Sequence, residues 1–479
     1  MKRLKRLLPL ILVITVFASL GQSRMALSSF GSVSLNQPAV ALAEDTATNP
    51  LYIPFISTGV PPVNIFGIDM GAVVPQNGLK EFAQAGTQWV RRGVLSWADV
   101  EPREGDRNWS AVSSLETDMI NASSNGMKMM LVIHQTPSWA QKIANSSCGP
   151  IKDSKIASFA KFMGDVVARY SQPPYNVKYW EIWNEPDYPQ IVGSDGFGCW
   201  GDPSDAYFGG GYYASVLKQV YPAIKAADFS SHVIVGGLLL DCDPNNPPAG
   251  KNCTPSKYLE GIIVNGGAKY FDGVSFHTYE YYEGSMDKYS NPNWNSHWNT
   301  TGTTVKVKAE FIKSVLNAHN VQGKAIYSTE AALLCLSNYV SCDSTFETTK
   351  ANYIAMVFAD SKAEDLSSNI WYSAFGWRDS GLITSNLTPL PAYHAYQFAQ
   401  KQFGSAEFGK MITNYSGVKG YEFYRGDRVV WLLASKDGNS HTVNLSKTPV
   451  AMWDVLGNSI TPSTSVQVTT APVYIDFTP

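Results

Sequence analysis

The chain has 479 residues, too many for one small domain and about the number expected for a large α/β barrel with an additional domain. Its formal net charge of −3 excludes the basic balance typical of proteins that bind nucleic acid or an anionic membrane. The hydrophobic content of 44% is enough to bury a core. The aromatic content of 12% suits both a rich core and surfaces on which sugar rings stack.

The N-terminus has the features of an export signal. Basic side chains within residues 2–6 precede an apolar run at residues 7–20, which is short for a membrane span. An Ala-Leu-Ala sequence at residues 41–43 offers a cleavage site, so we predict a signal peptide over residues 1–43 and a linker over residues 44–62. A secreted protein follows from this interpretation. An uncleaved N-terminal membrane anchor is the alternative.

The six cysteines are an even number, which fits the oxidising compartment that export implies. Two short sequence separations suggest two disulfide bonds, and the remaining two cysteines form the third. The predicted pairs are Cys242–Cys253, Cys335–Cys342 and Cys148–Cys199. A metal site is the competing interpretation. It is disfavoured because the sequence has no Cys-x-x-Cys pair and no histidine at ligand spacing, so we predict neither metal nor cofactor.

Apolar runs alternate with amphipathic stretches from residue 63 onwards, which is typical of a parallel sheet with crossover helices. The amphipathic stretches at residues 156–170 and 212–227 are two of the predicted helices. Eight strands are predicted, at residues 64–69, 89–94, 129–134, 179–185, 233–237, 271–279, 325–330 and 369–373. The pattern therefore predicts an α/β fold with a parallel sheet.

The stretch YWEIWNEPD at residues 179–187 is the most informative part of the sequence. An apolar, aromatic strand runs up to Asn184 and Glu185, and Pro186 then ends it because proline cannot donate to a strand ladder. An amide and a carboxyl group therefore lie side by side at the C-terminal end of a strand, where parallel barrels place their chemistry. A capping asparagine beside a solvated glutamate is the alternative, which the flanking tryptophans disfavour.

Two later strands also carry polar side chains. His277 and Tyr279 are two residues apart and so share one face of the predicted sixth strand. The seventh strand ends in Glu330. Glu280 is the alternative to Glu330 as the second carboxylate of the site, but strand alternation directs its side chain away from that of Tyr279. By the same alternation, Arg91 and Arg92 of the second strand point to opposite faces.

The WNEP motif resembles the fourth-strand motif of clan A glycoside hydrolases, which are retaining (β/α)8 enzymes. Further segments that resemble this clan lie at residues 89–109, 136–140, 272–279, 325–330 and 388–393. The resemblance spans residues 63–403 and is closest to families 39 and 5, with the TPSWA segment favouring family 39. It implies a (β/α)8 TIM barrel over residues 63–405.

The resemblance also implies roles for individual side chains. Glu185 takes the position of the general acid/base and Glu330 that of the nucleophile. Asn184 takes the position that contacts the sugar 2-hydroxyl, and Arg91 that of an arginine supporting the carboxylates. The remaining predicted sugar-site residues are His134, His277, Tyr279, Trp371, Trp97 and Trp377. For His134, a structural role at a strand end is an equal alternative.

The sequence texture changes after residue 403. Short alternating segments are separated by Gly, Asn, Asp and Pro, which predicts an antiparallel β domain. The predicted strands lie at residues 420–425, 429–434, 442–445, 451–454 and 466–469. We assign residues 406–479 to a small C-terminal β-sandwich. Such a short segment forms a marginal core alone, so we expect it to pack on the barrel.

These observations predict a secreted retaining glycoside hydrolase that cleaves β-glycosidic bonds in oligo- or polysaccharides through two glutamates. The predicted partner is carbohydrate, without nucleic acid and without membrane contact beyond the signal segment. A non-catalytic carbohydrate-binding barrel is the alternative from another class, and the presence of both Glu185 and Glu330 disfavours it. A transglycosylase would use the same residues. The sugar, the linkage, exo or endo action and the oligomeric state stay open.

Overall fold

The structure, a computed structural model, describes residues 64–191, 198–291, 298 and 303–478. The predicted signal peptide at residues 1–43 and linker at residues 44–62 lie outside the described residues. Within the described part of the chain, no helix is both long and apolar enough to cross a membrane.

Eight parallel strands form a closed barrel, as predicted. In chain order the strands of this sheet are β1 (Phe66–Asp69), β2 (Trp89–Ser96), β3 (Lys128–His134), β4 (Tyr179–Ile182), β5 (His232–Leu238), β6 (Gly273–Tyr282), β7 (Tyr289–Ser290), β8 (Ala325–Leu334) and β9 (Ser368–Tyr372). Each barrel strand pairs with the next, β9 pairs with β1, and pairing of β5 with β6 completes the closure. The short β7 pairs with β6 in the antiparallel direction.

Helices surround the barrel strands. They are α1 (Leu79–Gln84), α2 (Trp97–Val100), α3 (Ser113–Ser124), α4 (Ile156–Tyr170), α5 (Gly210–Ala227), α6 (Tyr258–Ile262), α7 (Thr304–Ala318), α8 (Ser344–Ala363) and α9 (Pro391–Phe403). The predicted helix at residues 156–170 has the bounds of α4. Apolar residues recur along α4 with helical spacing and are buried, from Ile156 to Tyr170.

The barrel interior changes from apolar to polar along its axis. Apolar and aromatic side chains fill the end nearest the strand N-termini: Trp89, Met130, Ile234, Tyr327 and Ile370. Further along the strands, four buried polar side chains, here named the polar layer, occupy the interior: Arg91, Glu181, Ser275 and Thr329. Barrel interiors are usually filled by branched apolar residues, so a buried ionic group at this level calls for a functional explanation.

The C-terminal segment forms two antiparallel sheets. Its strands are β10 (Glu407–Ile412), β11 (Val418–Arg425), β12 (Arg428–Ser435), β13 (His441–Asn444), β14 (Ala451–Trp453), β15 (Ser459–Ile460), β16 (Ser465–Val468) and β17 (Val473–Phe477). Six strands form one sheet, and β13 pairs with β16 in the other. The five predicted strands are present. The sequence did not reveal β17, which lies between β12 and β14 and is buried along its length, so it lacks polar alternation.

The C-terminal sheets pack against the last two helices. The ring of Phe403 on α9 stacks on Phe423 of β11 with centroids 4.8 Å apart. The buried Asp360 of α8 accepts hydrogen bonds from Lys419 at 2.9 Å and Tyr421 at 2.7 Å. Apolar stacking and a buried ion pair thus join the small domain to the barrel, as its marginal core requires.

All three predicted disulfide bonds are present. They join Cys148 to Cys199, Cys242 to Cys253 and Cys335 to Cys342. The first bridge links the loop after β3 to the loop after β4. Because the carbonyl of Cys148 accepts a hydrogen bond from Trp183 Nε1 at 2.9 Å, this bridge also supports the WNEP motif.

Candidate active site

The WNEP motif follows β4 in a constrained backbone. Trp183 and Glu185 adopt positive φ angles of 73° and 47°, which non-glycine residues rarely do. Such conformations persist where surrounding contacts fix them. The backbone N–H of Glu185 donates to the carbonyl of Gly237 at 3.0 Å, and the Trp183 indole packs 4.8 Å from the rings of His134 and Trp200. These contacts determine where the Glu185 carboxyl group lies.

Glu185, in the loop just after β4, and Glu330, within β8, approach each other with His277 beside both. The strand predicted to end at Glu330 continues to Leu334, because the residues after Glu330 are also apolar and buried. Nδ1 of His277 lies 2.7 Å from Oε1 of Glu185 and 3.5 Å from Oε2 of Glu330. One potential ligand atom from each of these three side chains lies within 4.8 Å of the other two. The two carboxyl groups can therefore act on the same bond of a bound molecule.

Arg91 connects the nucleophile candidate to the WNEP motif. Its Nη1 forms a salt bridge with Glu330, and its Nη2 donates to Oδ1 of Asn184 at 2.6 Å. Its Nε donates to Oε2 of Glu181 at 2.7 Å. The hydroxyl of Tyr279 donates to Oε2 of Glu330. The structure thus brings together the sequence-predicted Arg91, Asn184, Tyr279 and Glu330.

Burial and neighbouring charges affect the pKa values of Glu185 and Glu330 differently. Burial raises the pKa of Glu185 well above its usual range, and the charges of Glu330 and Asp187 raise it further. Burial also raises the pKa of Glu330, but the charge of Arg91 and the hydroxyl of Tyr279 oppose that effect. Near neutral pH the site therefore favours a protonated Glu185 beside an ionised Glu330.

His277 and Tyr279 remain uncharged in this environment. Burial, together with the charges of Arg91 and Lys308, holds the pKa of His277 well below its usual range. Burial and the charge of Glu330 raise the pKa of Tyr279 well above its usual range, so its hydroxyl keeps the proton that it donates. The carboxyl pair thus contacts the neutral hydrogen-bonding groups of His277 and Tyr279 and the cation Arg91.

A second buried pair of charges lies behind the acid/base candidate. Asp187 accepts hydrogen bonds from the backbone N–H groups of Leu239 at 2.9 Å and Leu240 at 3.0 Å. Burial raises its pKa to about 6. Lys308 donates to the carbonyls of Leu239 and His277 at 2.8 Å, and burial lowers its pKa to about 8. Asp187 and Lys308 affect the pKa of Glu185 in opposite directions.

Gly237 provides the space that His277 occupies. An ideal Cβ at Gly237 would lie 2.1 Å from Nε2 of the imidazole. The Gly237→Ala variant is therefore expected to displace His277 from Glu185 and lower kcat by about 10- to 100-fold. Steady-state kinetics on an activated aryl glycoside would measure the change. Gly164→Ala is the matched control, because its Cβ would make only ordinary contacts on α4; equal losses in both variants would contradict the expectation.

The sugar-binding role predicted for Trp371 and Trp97 is wrong. Trp371 is fully buried on the outer face of β9, where its Nε1 donates to the carbonyl of Ser380 at 2.8 Å. The neighbouring Tyr372 faces the site instead, because side chains alternate along a strand. Trp97 is also fully buried, and its Nε1 donates to Oε2 of Glu101 at 2.6 Å. Neither tryptophan offers a ring face to a ligand.

A pair of variants tests the correction at β9. Trp371→Phe is expected to lower the free energy of unfolding by about 1–3 kcal/mol without changing KM, since it removes buried volume and a hydrogen bond. Tyr372→Ala is expected to raise KM, because the Tyr372 ring lies 6.2 Å from that of Tyr279 at the site. Thermal unfolding and steady-state kinetics of both variants give the comparison, and a raised KM in Trp371→Phe alone would restore the original assignment.

The other predictions have mixed outcomes. The Trp377 side chain is 44% exposed with its ring 5.9 Å from Tyr279, a position that suits a wall of the cleft. His134 is buried against Trp183, so a sugar contact by His134 stays a prediction. Arg92 points outward to Asp118 at 2.7 Å, as alternation predicted. Glu280 also points away, accepting hydrogen bonds from the Thr304 N–H and the Tyr353 hydroxyl.

Three site residues were missed by the sequence interpretation: Glu181, Asp69 and Tyr372. Glu181 is a charged residue inside an otherwise apolar strand, which was the available signal. Asp69 is the last residue of β1 and follows an apolar run, which was the available signal for it. The charge of Asp69 acts on Arg91 and on Glu330. Burial raises the pKa of Asp69.

Within the described residues, Glu185, His277 and Glu330 are the group whose spacing could hold a metal ion. Their donor atoms already contact one another, and Arg91 and Tyr279 both bind Glu330. A cation at this point would face the guanidinium of Arg91. The donor set therefore fits proton transfer and covalent chemistry better than metal coordination.

The barrel and its carboxyl pair define the class as a clan A glycoside hydrolase, whose members retain the anomeric configuration of the sugar. The model of the cellulase family, glycosyl hydrolase family 5, matches residues 57–371, well over half of the sequence. The chain belongs to this family. A search of curated protein sequences finds no match.

Solved structures share the fold at low sequence identity. A family 39 glycoside hydrolase from Bacteroides cellulosilyticus WH2 is 17% identical with a TM-score of 0.64, and the alignment covers 87% of this chain and 81% of that one. A GH30 endoxylanase from Clostridium papyrosolvens C71 is 13% identical, with a TM-score of 0.57 and coverages of 88% and 98%. An alpha-L-arabinofuranosidase from Thermotoga maritima is 11% identical, with a TM-score of 0.54 and the same coverages. At these identities the likeness concerns the fold alone.

Proposed function

We propose that the protein cleaves β-glycosidic bonds in oligo- or polysaccharides by double displacement, with Glu330 as nucleophile and Glu185 as general acid/base. The short distance between the carboxyl groups carries the proposal, since their oxygens lie within 4.8 Å. Retaining enzymes place these groups about 5–5.5 Å apart, close enough for direct attack, whereas inverting enzymes leave room for a water molecule.

In the first step, a carboxylate oxygen of Glu330 forms a bond to the anomeric carbon while the glycosidic C–O bond breaks. The leaving oxygen takes the electron pair and receives the proton of Glu185. Glu185 holds that proton because burial and the charge of Glu330 raise its pKa. Arg91 and Tyr279 keep Glu330 ionised and orient its two oxygens.

In the second step, Glu185 removes a proton from water as the water oxygen attacks the anomeric carbon. The ester bond to Glu330 breaks, and Glu330 leaves as a carboxylate. The glycosyl-enzyme no longer carries the negative charge of Glu330, so the pKa of Glu185 falls in that intermediate. One carboxyl group therefore acts as an acid first and as a base afterwards.

Asn184, Tyr372 and Trp377 would bind the sugar. Asn184 Oδ1 accepts a hydrogen bond from Arg91 at 2.6 Å, and its amide would donate to the sugar 2-hydroxyl. Tyr372 and the exposed face of Trp377 are the aromatic surfaces at the site. Secretion is part of this proposal, because three disulfide bonds require an oxidising compartment and the N-terminal sequence has the pattern of an export signal.

Mechanism-based trapping tests the proposal. The protein is incubated with a panel of 2-deoxy-2-fluoro β-glycosides that carry activated leaving groups, and the labelled peptide is mapped by mass spectrometry. Label on Glu330 is expected, and the sugar that reacts identifies the substrate class. Product analysis with acceptor sugars distinguishes hydrolysis from transglycosylation.

Two results would contradict the assignment. Label on Glu280 would keep the reaction class and remove Glu330 from the nucleophile role. No label with any sugar, together with no turnover of polysaccharides, would favour a non-catalytic carbohydrate-binding barrel.

A further inference from the structure

Glu181 is a buried carboxylate that the double-displacement scheme does not use. It lies in the polar layer of the barrel, below the two glutamates, and has no exposed surface. We infer that Glu181 is a positioning residue, which fixes the orientation of Arg91 and limits how much of its positive charge acts on Glu330. This inference rests on the proposed function of Glu330.

The contacts of Glu181 are complete and come from four different strands. Its Oε1 accepts hydrogen bonds from the Gly237 N–H at 3.0 Å, Ser275 Oγ at 2.6 Å and Thr329 Oγ1 at 3.0 Å. Its Oε2 accepts from Arg91 Nε at 2.7 Å. A buried charge is tolerated only when it is paired and hydrogen-bonded in this way. One backbone N–H and three side-chain donors of the barrel therefore stabilise a carboxylate at position 181.

The geometry at Arg91 shows what this carboxylate does. A guanidinium is planar, so its nitrogen atoms cannot be oriented independently. Glu181 binds Nε, and this leaves Nη1 directed to Glu330 and Nη2 directed to Asn184. Loss of the contact at Nε would release rotation about the side chain and displace both groups that act on the sugar.

Charge balance gives the second part of the argument. One positive charge is shared between Glu181 and Glu330, so Glu330 remains an incompletely neutralised carboxylate and a better nucleophile. When Glu330 becomes an ester, its charge disappears. Arg91, which is buried, would then have no carboxylate hydrogen-bonded to it if Glu181 were absent. Glu181 thus keeps Arg91 paired throughout the reaction.

The Glu181→Gln variant tests the inference. Glu330 becomes the only anion bound to Arg91, so it is more stable as a carboxylate. Formation of the glycosyl-enzyme is expected to slow by about 10- to 100-fold, and its breakdown is expected to accelerate because Glu330 leaves more readily. The acidic limb of the kcat/KM profile is expected to move to lower pH by about one unit.

The measurements are the rates of trapping and of reactivation with a 2-deoxy-2-fluoro glycoside, and the pH profile. Asp118→Asn is the matched control, since Asp118 is a buried carboxylate that pairs with the neighbouring Arg92 at the same 2.7 Å distance but outside the barrel. This control is expected to leave both rates and the profile unchanged. Equal slowing of both steps with an unchanged pH profile in Glu181→Gln would overturn the inference.

A second pair of variants covers the case in which Glu181→Gln does not fold. Ser275→Ala and Thr329→Val each remove a hydroxyl donor from Oε1 of Glu181, so more of its charge acts on Arg91. The acidic limb is then expected to move to higher pH, and an unmoved limb in both would also overturn the inference. Absence of activity in the unsubstituted protein would instead contradict the proposed function itself.

Discussion

Replacing Glu330 by glycine is expected to lower kcat/KM by at least about 10⁴-fold, because the variant cannot form the covalent intermediate. The small side chain leaves space beside Arg91 and Tyr279 for an external anion. Added azide is therefore expected to restore turnover of an activated β-glycoside and to give the glycosyl azide of inverted, α configuration. Nuclear magnetic resonance of the product measures that configuration.

Glu280→Gln is the control for this result. Glu280 is a buried carboxylate on strand β6, but it accepts hydrogen bonds from Thr304 of α7 and from Tyr353 of α8, away from the site. Its substitution is expected to lower thermal stability with little change in kcat. A large loss of activity in Glu280→Gln with a near-normal Glu330→Gly variant would reverse the assignment.

Replacing Glu185 by glutamine is expected to have the second largest effect, and its size depends on the leaving group. Substrates with poor leaving groups should lose about 10²- to 10⁴-fold in rate, since they need protonation. Those with activated leaving groups should lose much less in the first step. The raised pKa of Glu185 means that wild-type activity falls as pH rises through that pKa, because the acid is lost. In Glu185→Gln this basic limb should disappear.

The pH profile with both kinds of substrate is the measurement. Glu101→Gln provides the control, because Glu101 is a buried carboxylate bound to Trp97 outside the barrel interior. It is expected to keep the wild-type limb and the wild-type leaving-group dependence. A basic limb that persists unchanged in Glu185→Gln would show that another group supplies the proton.

Strand alternation gave much of the site from the sequence. It separated Arg91 from Arg92 and placed Tyr279 and Glu280 on opposite faces, as found in the structure. The parallel α/β sheet and the three disulfide bonds also followed from pattern and spacing, whereas the closed barrel was implied by the resemblance to clan A. These features depend on local periodicity and chain separation, which a single sequence contains.

Other features depend on information that local periodicity lacks. Trp371 and Tyr372 are adjacent aromatic residues, so strand alternation places them on opposite faces of β9. Alternation does not determine which of the two faces the barrel interior. The pairing register of β9 with β8 shifts between Ser328 and Ala331. Because of this irregularity, the direction of a side chain on these strands cannot be obtained by counting residues along the sequence. Glu181 was missed because its donors come from four other strands, far away in the sequence.

The polar layer has a practical consequence for anyone seeking a more heat-resistant form of this protein. Replacing a buried ionic group by well-packed apolar residues often leaves a fold equally stable or more stable. A selection for thermal tolerance alone would therefore accept Val, Ile or Leu in place of Arg91, Glu181, Ser275 and Thr329, and would discard catalysis. Improvements are better sought in the C-terminal sheets, whose contacts with α8 and α9 lie away from the two glutamates.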